Sequence, residues 1–254
     1  MVILAVETSS ARGSLALLRV SGEDDGLVEE LVFPEGLVHG RELALRTEEL
    51  MRRHDLKPSE LEGVAVSCGP GSYTGIRVGV TAAKSLAFAL NCAVIPVSSL
   101  EVIAANADRP SEREGDRRGD ICVILDGRQG HLYRALFRFG DAESGGLVRA
   151  LDDEVVDLER LRAGELPGVS APAFLIADGA DLALETLADA ARELERGPRD
   201  WDLPGAFRLG QIALRRWRKG DVVRDRGEIH ALEPSYLRPS EAERRLAEKS
   251  TRGS

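Results

Sequence analysis

Aromatic residues are scarce in this chain, 4% of 254, and histidine occurs only four times. His39, His54, His131 and His230 are scattered with no i,i+4 pair, which excludes a zinc-protease centre and leaves metal chemistry with little support. The three cysteines, Cys68, Cys92 and Cys122, form no C-x-x-C pair and stand in apolar surroundings, as buried free thiols of a reducing cytoplasm do. Positive charge is also in deficit. A formal charge of −9 argues against a protein that grips nucleic acid by itself, so any nucleic-acid role needs a partner. No apolar run approaches the length of a membrane span, and the apolar start Val2 to Val6 lacks a basic flank and is too short for a signal-peptide core.

What is present is a globular composition, 43% hydrophobic and 30% charged, with length for one large domain or two ordinary lobes. Val2 to Val6 and Ser14 to Val20 read as strands joined by the polar turn Glu7 to Gly13, and a turn at 21–26 leads to a third strand, Leu27 to Phe33. Helical periodicity runs from about Leu37 to His54, with Leu43, Ala44, Leu50 and Met51 on one face. A buried strand 64–66, a glycine turn, a helix 75–90 and a strand 93–97 follow, giving the order βββαβαβ. The second half repeats the beginning of this order. Ile121 to Asp126 is an apolar strand ending in a carboxylate, 127–130 is a turn and His131 to Phe139 an alternating strand. Beyond them 147–151 reads as a strand, 155–163 as a helix, 173–177 as a strand and 182–195 as a helix. We therefore expect a first lobe over 1–108, a charged connection over 108–119 and a second lobe over 120–205, with part of 206–254 packing back on the first. A late helix, Phe207 to Lys219, gathers Arg215, Arg216, Arg218 and Lys219 at its C-terminal end, where cations suit the helix dipole.

The most chemistry-bearing stretch is Ser67-Cys-Gly-Pro-Gly-Ser-Tyr-Thr-Gly75. Gly69, Pro70 and Gly71 break regular structure, and Ser72 or Thr74 can cap a helix whose first amides attract an anion. One reading is a phosphate site formed by Gly69, Gly71 and Ser72; the other is a tight strand-to-helix turn with no ligand. No Gly-Lys-Ser/Thr follows, so a Walker-type NTPase is excluded, and the spacing is wrong for a nucleophile elbow. Glu7 and Asp126 end equivalent strands of the two halves and could hold Mg²⁺ and nucleotide phosphates across a cleft, with Thr8, Ser9 and Ser10 as donors. Alternatively they only initiate turns.

Helix 75–90 gathers Arg77, Thr81, Lys84 and Ser85 into one polar stripe, and the rest of its circumference is apolar or small. Gly75, Gly79, Ala82, Leu86 and Ala89 form one line; Ile76, Val80, Ala83 and Ala87 form another. One line packs on the helix's own sheet. The second needs a cover, from helix 37–54 or from a partner protein.

Taken together, Ile3-Leu-Ala-Val-Glu-Thr-Ser-Ser10, Val66 to Gly79, Ala83-Lys-Ser-Leu-Ala87, Ile95 to Leu100, Leu125-Asp-Gly-Arg128 with Tyr133, and Glu233-Pro-Ser-Tyr-Leu-Arg238 resemble the bacterial TsaB (YeaZ) family. The resemblance implies an α/β protein of two ribonuclease-H-like lobes, the actin-like, sugar-kinase-like ATPase (ASKHA) fold, with a degenerate second lobe. It also implies a non-catalytic cytoplasmic subunit, free of the membrane, that binds the transferase TsaD, with TsaE joining, for threonylcarbamoyl transfer to the adenosine 3′ to the anticodon of tRNA. Where the paralogue TsaD carries two metal-binding histidines, this chain has Ser99 and Ile103, so the family's catalysis is not expected here. The family pairs through first-lobe helices, which implies an interface at Leu43, Leu50, Met51, Ile76, Gly79, Val80, Ala83 and Ala87, able also to carry a homodimer. No cofactor is required on this reading, although ATP or ADP with Mg²⁺ could occupy the complex, and tRNA would be reached only through it. Glu7, where the fold commonly has Asp, makes the nucleotide cluster Glu7, Thr8, Ser9, Ser10, Gly69, Gly71, Ser72 and Asp126 vestigial. The alternative is a self-sufficient ATPase or small-molecule kinase of the same fold.

Overall fold

The structure is a computed structural model, which describes residues 1–19, 26–34, 40–108, 119–140, 146–170, 173–187 and 191–238. Most of the charged connection expected at 108–119 and the tail beyond Arg238 lie outside the described residues.

Strands β1 (Val2–Glu7), β2 (Ser14–Arg19) and β3 (Gly26–Val32) form an antiparallel meander. Helix α1 (Gly40–Arg53) then leads to β4 (Leu61–Ser67), α2 (Tyr73–Leu90), β5 (Ala93–Val97) and α3 (Ser99–Ala104). Strands β4 and β5 join parallel to β1, giving the sheet order β3-β2-β1-β4-β5. The second half builds β6 (Asp120–Asp126), β7 (His131–Phe139), β8 (Leu147–Asp157), α4 (Leu158–Arg162), β9 (Ala173–Ile176), α5 (Ala180–Leu187) and β10 (Leu194–Arg196). Read from β8, its sheet is β8-β7-β6-β9-β10, the same order with the same two antiparallel and two parallel pairings. The chain is thus two ribonuclease-H-like sheets in sequence. The second lobe is the reduced one, since α4 has five residues and α5 eight where the first lobe has helices of fourteen and eighteen.

The unbroken apolar runs of β1 and β6 follow from burial on both faces. In β1, Val2, Leu4 and Val6 face a core shared with α1 and α2, and Ile3 and Ala5 face one shared with helix α6 (Ala206–Arg218). In β6, Cys122 and Ile124 face the α4–α5 side, and Ile121 and Val123 meet Leu100, Ile103 and Ala104 of α3. Helix α3 therefore belongs to both sheets, because its Val102 packs into the α6 core of the first. Polar groups follow the same seam: Glu101 pairs with Arg149 at 3.4 Å and Arg216 at 2.8 Å, and Ser98 Oγ donates to Asp153 at 2.6 Å.

Some elements differ from the sequence reading. Val155 to Asp157 belong to β8 rather than to a helix, because Val155 and Val156 pair with Tyr133 and Leu132 of β7 and Asp157 with His131. The predicted helix 182–195 is α5 over 180–187, with β10 at its expected end. Two short helices, α3 and α7 (Arg226–Ala231), carry no periodicity long enough to be read.

Candidate functional site

The end of β1 is closed rather than open to a ligand. Glu7 is wholly buried; its Oε1 accepts from the Ser9 amide at 2.7 Å and Ser9 Oγ at 2.6 Å, and its Oε2 accepts from Ser67 Oγ at the end of β4. Burial raises its pKa above the ordinary carboxylate value, against the opposing pull of those hydrogen bonds. The carboxylate thus pins two parallel strands together.

The glycine turn lies directly against this pin. Ser72 donates its amide to Ser9 O at 2.7 Å, and Thr8 Oγ1 donates to Gly75 O at 2.8 Å. A Cβ on Gly71 would fall 2.3 Å from Ser9 O, one on Gly75 2.0 Å from Thr8 O, and one on Gly79 2.3 Å from Thr8 Oγ1. The glycines are required by this crossing of helix over hairpin turn. Several amides of the turn are engaged within the chain: Cys68 donates to Val97 O, Gly69 to Ser99 Oγ at 3.2 Å, and Gly75 to its N-cap Ser72 Oγ at 3.3 Å. On the remaining side Ser235 donates to Cys68 O at 2.7 Å, and its carbonyl would lie 2.7 Å from a Cβ on Gly69.

Of the residues expected to form a nucleotide cluster, Glu7, Thr8 and Ser9 are therefore interior, Ser72 is a helix cap, and Gly69 and Gly71 meet the chain's own carbonyls. Ser10 is half-buried, its hydroxyl donating to Arg12 O at 3.0 Å. Asp126 is exposed and stands apart from Glu7's contacts, accepting from the Arg128 amide at 2.7 Å in a turn where Arg128 and Gln129 take positive φ. Burial raises the pKa of Asp178, which accepts the Asp126 amide. Ser99 is buried, and Ile103 is fully enclosed between the sheets. Among the described residues no group of three His, Cys, Asp or Glu is placed to hold a metal.

The uncovered face lies on the helix pair. All eight residues expected at a partner interface, Leu43, Leu50, Met51, Ile76, Gly79, Val80, Ala83 and Ala87, are buried within the chain. The contact of Gly75 and Gly79 with Thr8 turns that side of α2 onto its own sheet. Among the described residues, the line without cover is Val78, Ala82, Leu86 and Leu90, half-buried at i,i+4 spacing, with Ala89 exposed beside it. Together with Ala44, Thr47 and Met51 of α1 they line a groove of about 1180 Å³. Leu43 and Met51 reach its floor from the core.

The polar stripe of α2 has a cover of its own. Lys84 Nζ donates to the carbonyls of His230 at 2.6 Å and Leu232 at 2.9 Å, and Tyr236 stacks on Tyr73 with centroids 4.8 Å apart. Arg77 donates to Tyr73 O–H at 2.7 Å and lies over its ring. Sequence reasoning missed this strap, because a contact between residues about 150 positions apart leaves no local pattern.

Among the described residues no helix is long and apolar enough to cross a membrane. A model of the TsaD family, tRNA N6-adenosine threonylcarbamoyltransferase, matches residues 37–246. The chain is 32% identical to the tRNA threonylcarbamoyladenosine biosynthesis protein TsaB of Bacillus subtilis, over 98% of this chain and 99% of that protein. It is 26% identical to the TsaB of Escherichia coli, over 98% and 100%. Its fold is that of YeaZ from Pseudomonas aeruginosa, at a TM-score of 0.72 and 23% identity, covering 93% of this chain and 99% of that one. With its duplicated sheets and identity along its whole length, this chain belongs to the TsaB (YeaZ) family.

Proposed function

We propose that this chain is a non-catalytic partner subunit that binds TsaD, with TsaE joining, for threonylcarbamoyl transfer to the adenosine 3′ to the anticodon of tRNA. One observation carries the reading: among the described residues the α1–α2 groove is apolar and open, while the glycine turn packs against the chain's own Thr8, Ser9 and Ser235. A helix of TsaD laid along Val78, Ala82 and Leu86 would cover it, and small residues at Ala82 and Ala89 admit close approach. The same groove would carry self-association when TsaD is absent. The subunit would work in the cytoplasm, need no cofactor of its own, and meet tRNA as part of the assembly.

Sedimentation of the chain with its cognate TsaD tests this. We expect a heterodimer, and expect Ala82→Arg to abolish it while leaving the monomer folded. No complex at micromolar concentration would sink the reading. The competing self-sufficient ATPase or kinase predicts tight Mg-ATP binding and turnover by the isolated chain, which calorimetry and a phosphate-release assay would detect.

A further inference from the structure

The last turn of α6 and the chain after it hold six cations, Arg215, Arg216, Arg218, Lys219, Arg224 and Arg226, against two carboxylates, Asp221 and Asp225. That local excess stands in a chain of net charge −9. The helix dipole accounts for cations in the last turn of α6, but Arg224 lies beyond the turn where that field acts. Some of the charge is used internally. Arg216 is bound to Glu101 at 2.8 Å, and Arg226 donates to Phe88 O at 3.1 Å, capping the end of α2. Both carboxylates are engaged too: Asp225 accepts the Glu228 amide at 2.9 Å as the cap of α7, and Asp221 stands 3.8 Å from Arg216. Arg215, Lys219 and Arg224 are left exposed, with no carboxylate partner among the described residues.

Arg224 is held ready rather than loose. Its guanidinium lies 4.5 Å above the ring of Trp217, and Trp217 rests on Gly63, where a Cβ would meet the indole at 2.9 Å. The preceding residue is fixed by two 2.9 Å hydrogen bonds between Val223 and Val94 of edge strand β5. A planar guanidinium stacked on a ring, with no carboxylate partner among the described residues, is suited to phosphate oxygens. No exposed large hydrophobic residue lies between 215 and 226 to enter a bilayer, which favours a sugar-phosphate backbone over a lipid surface.

We infer that Arg215, Lys219 and Arg224 form a phosphate-contact surface for RNA, through which this chain touches the tRNA within its complex. The inference rests on the partner-subunit reading above. Each of the three cations would neutralise one phosphate and release its counterion.

The test is fluorescence anisotropy of labelled unmodified tRNA against the TsaD complex and against the chain alone, from about 50 to 200 mM salt. The triple variant Arg215→Ser/Lys219→Ser/Arg224→Ser is expected to lower the slope of log affinity against log salt by about 2 to 3. Association with TsaD should not change, and the thermal midpoint should fall by no more than about 4 °C for the lost stack on Trp217. Arg224→Lys, which keeps the charge and loses the stacked plane, is expected to keep the slope and weaken binding. An unchanged affinity and slope for the triple variant in an intact complex would overturn the inference. So would tRNA binding by neither the complex nor the chain, or charge-dependent binding to phosphatidylserine vesicles without RNA binding. Failure of the wild-type chain to join TsaD would instead strike the partner-subunit reading, and the titration of the chain alone would then decide the surface.

Discussion

Gly79→Ala tests which side of α2 is core. Alanine in place of glycine inside a helix is favourable by about 1 kcal/mol, so on an open face this substitution would stabilise the chain. Here the added Cβ would stand 2.3 Å from Thr8 Oγ1, and Thr8 is fully buried and fixed by its bond to Gly75 O. Overpacking of that kind costs about 1 to 3 kcal/mol, and the rigid neighbour puts it toward the upper end. The net expectation is a loss of about 1 to 2 kcal/mol, or a thermal midpoint lower by ~2–8 °C for a chain of this size. Thr8→Ala alone should cost about 1 kcal/mol for one lost buried hydrogen bond. It also removes the atom that Cβ would strike, so the double variant should be more stable than the sum of the two losses. Urea unfolding of the four proteins measures the coupling. Strict additivity, or a Gly79→Ala chain more stable than wild type, would refute the account of why this side of α2 is interior.

Glu7→Gln should raise stability at neutral pH. Burial raises the folded pKa above 4.5, so the stabilising contribution is complete below that value and lost as pH rises through the folded value. The gain over wild type, read from thermal midpoints between about pH 4 and pH 8, should therefore shrink on acidification; a glutamine variant that unfolds at pH 7 would mean the charge is needed. Burial pushes Cys68 and Cys122 up to about 12 and Cys92 up to about 11. At pH 8 each native thiolate fraction is then on the order of 10⁻³ or less, and a disulfide reagent should label the three only after unfolding. Val80→Arg, at a site 3% exposed, should unfold the chain, whereas Ala82→Arg two residues on should leave its midpoint within about 2 °C. Tyr236→Ala should cost about 1 kcal/mol through the lost stack on Tyr73 and loosen 226–238, measurable by hydrogen exchange.

The order of elements along the chain and the sites of breakage were legible because each rests on a local signal. Two-sided burial makes β1 and β6 read as unbroken apolar runs, and the Ser72 cap with the left-handed Asn91 bounds α2 within two residues of its predicted start. Val155 to Asp157 were misread because a short apolar run fits helix and strand alike, and only its pairing with β7 chooses. The rotation of α2 was illegible for a related reason. With small or apolar residues on most of its circumference, periodicity offers two lines and no ground for choosing between them.

The sequence by itself determined that one element order occurs twice and that a glycine turn launches an over-apolar helix. These are consequences of strand burial, backbone freedom and periodicity, which act over a few residues. Tertiary structure alone decided where those features pack. Thr8 and Ser9 pack against the glycine turn, Ser235 meets it from the far end of the chain, and the crossing at Gly75 and Gly79 leaves Val78, Ala82 and Leu86 outward. Each of these turns on close contact between residues roughly 60 to 170 positions apart, and steric exclusion at that range leaves no trace in local composition.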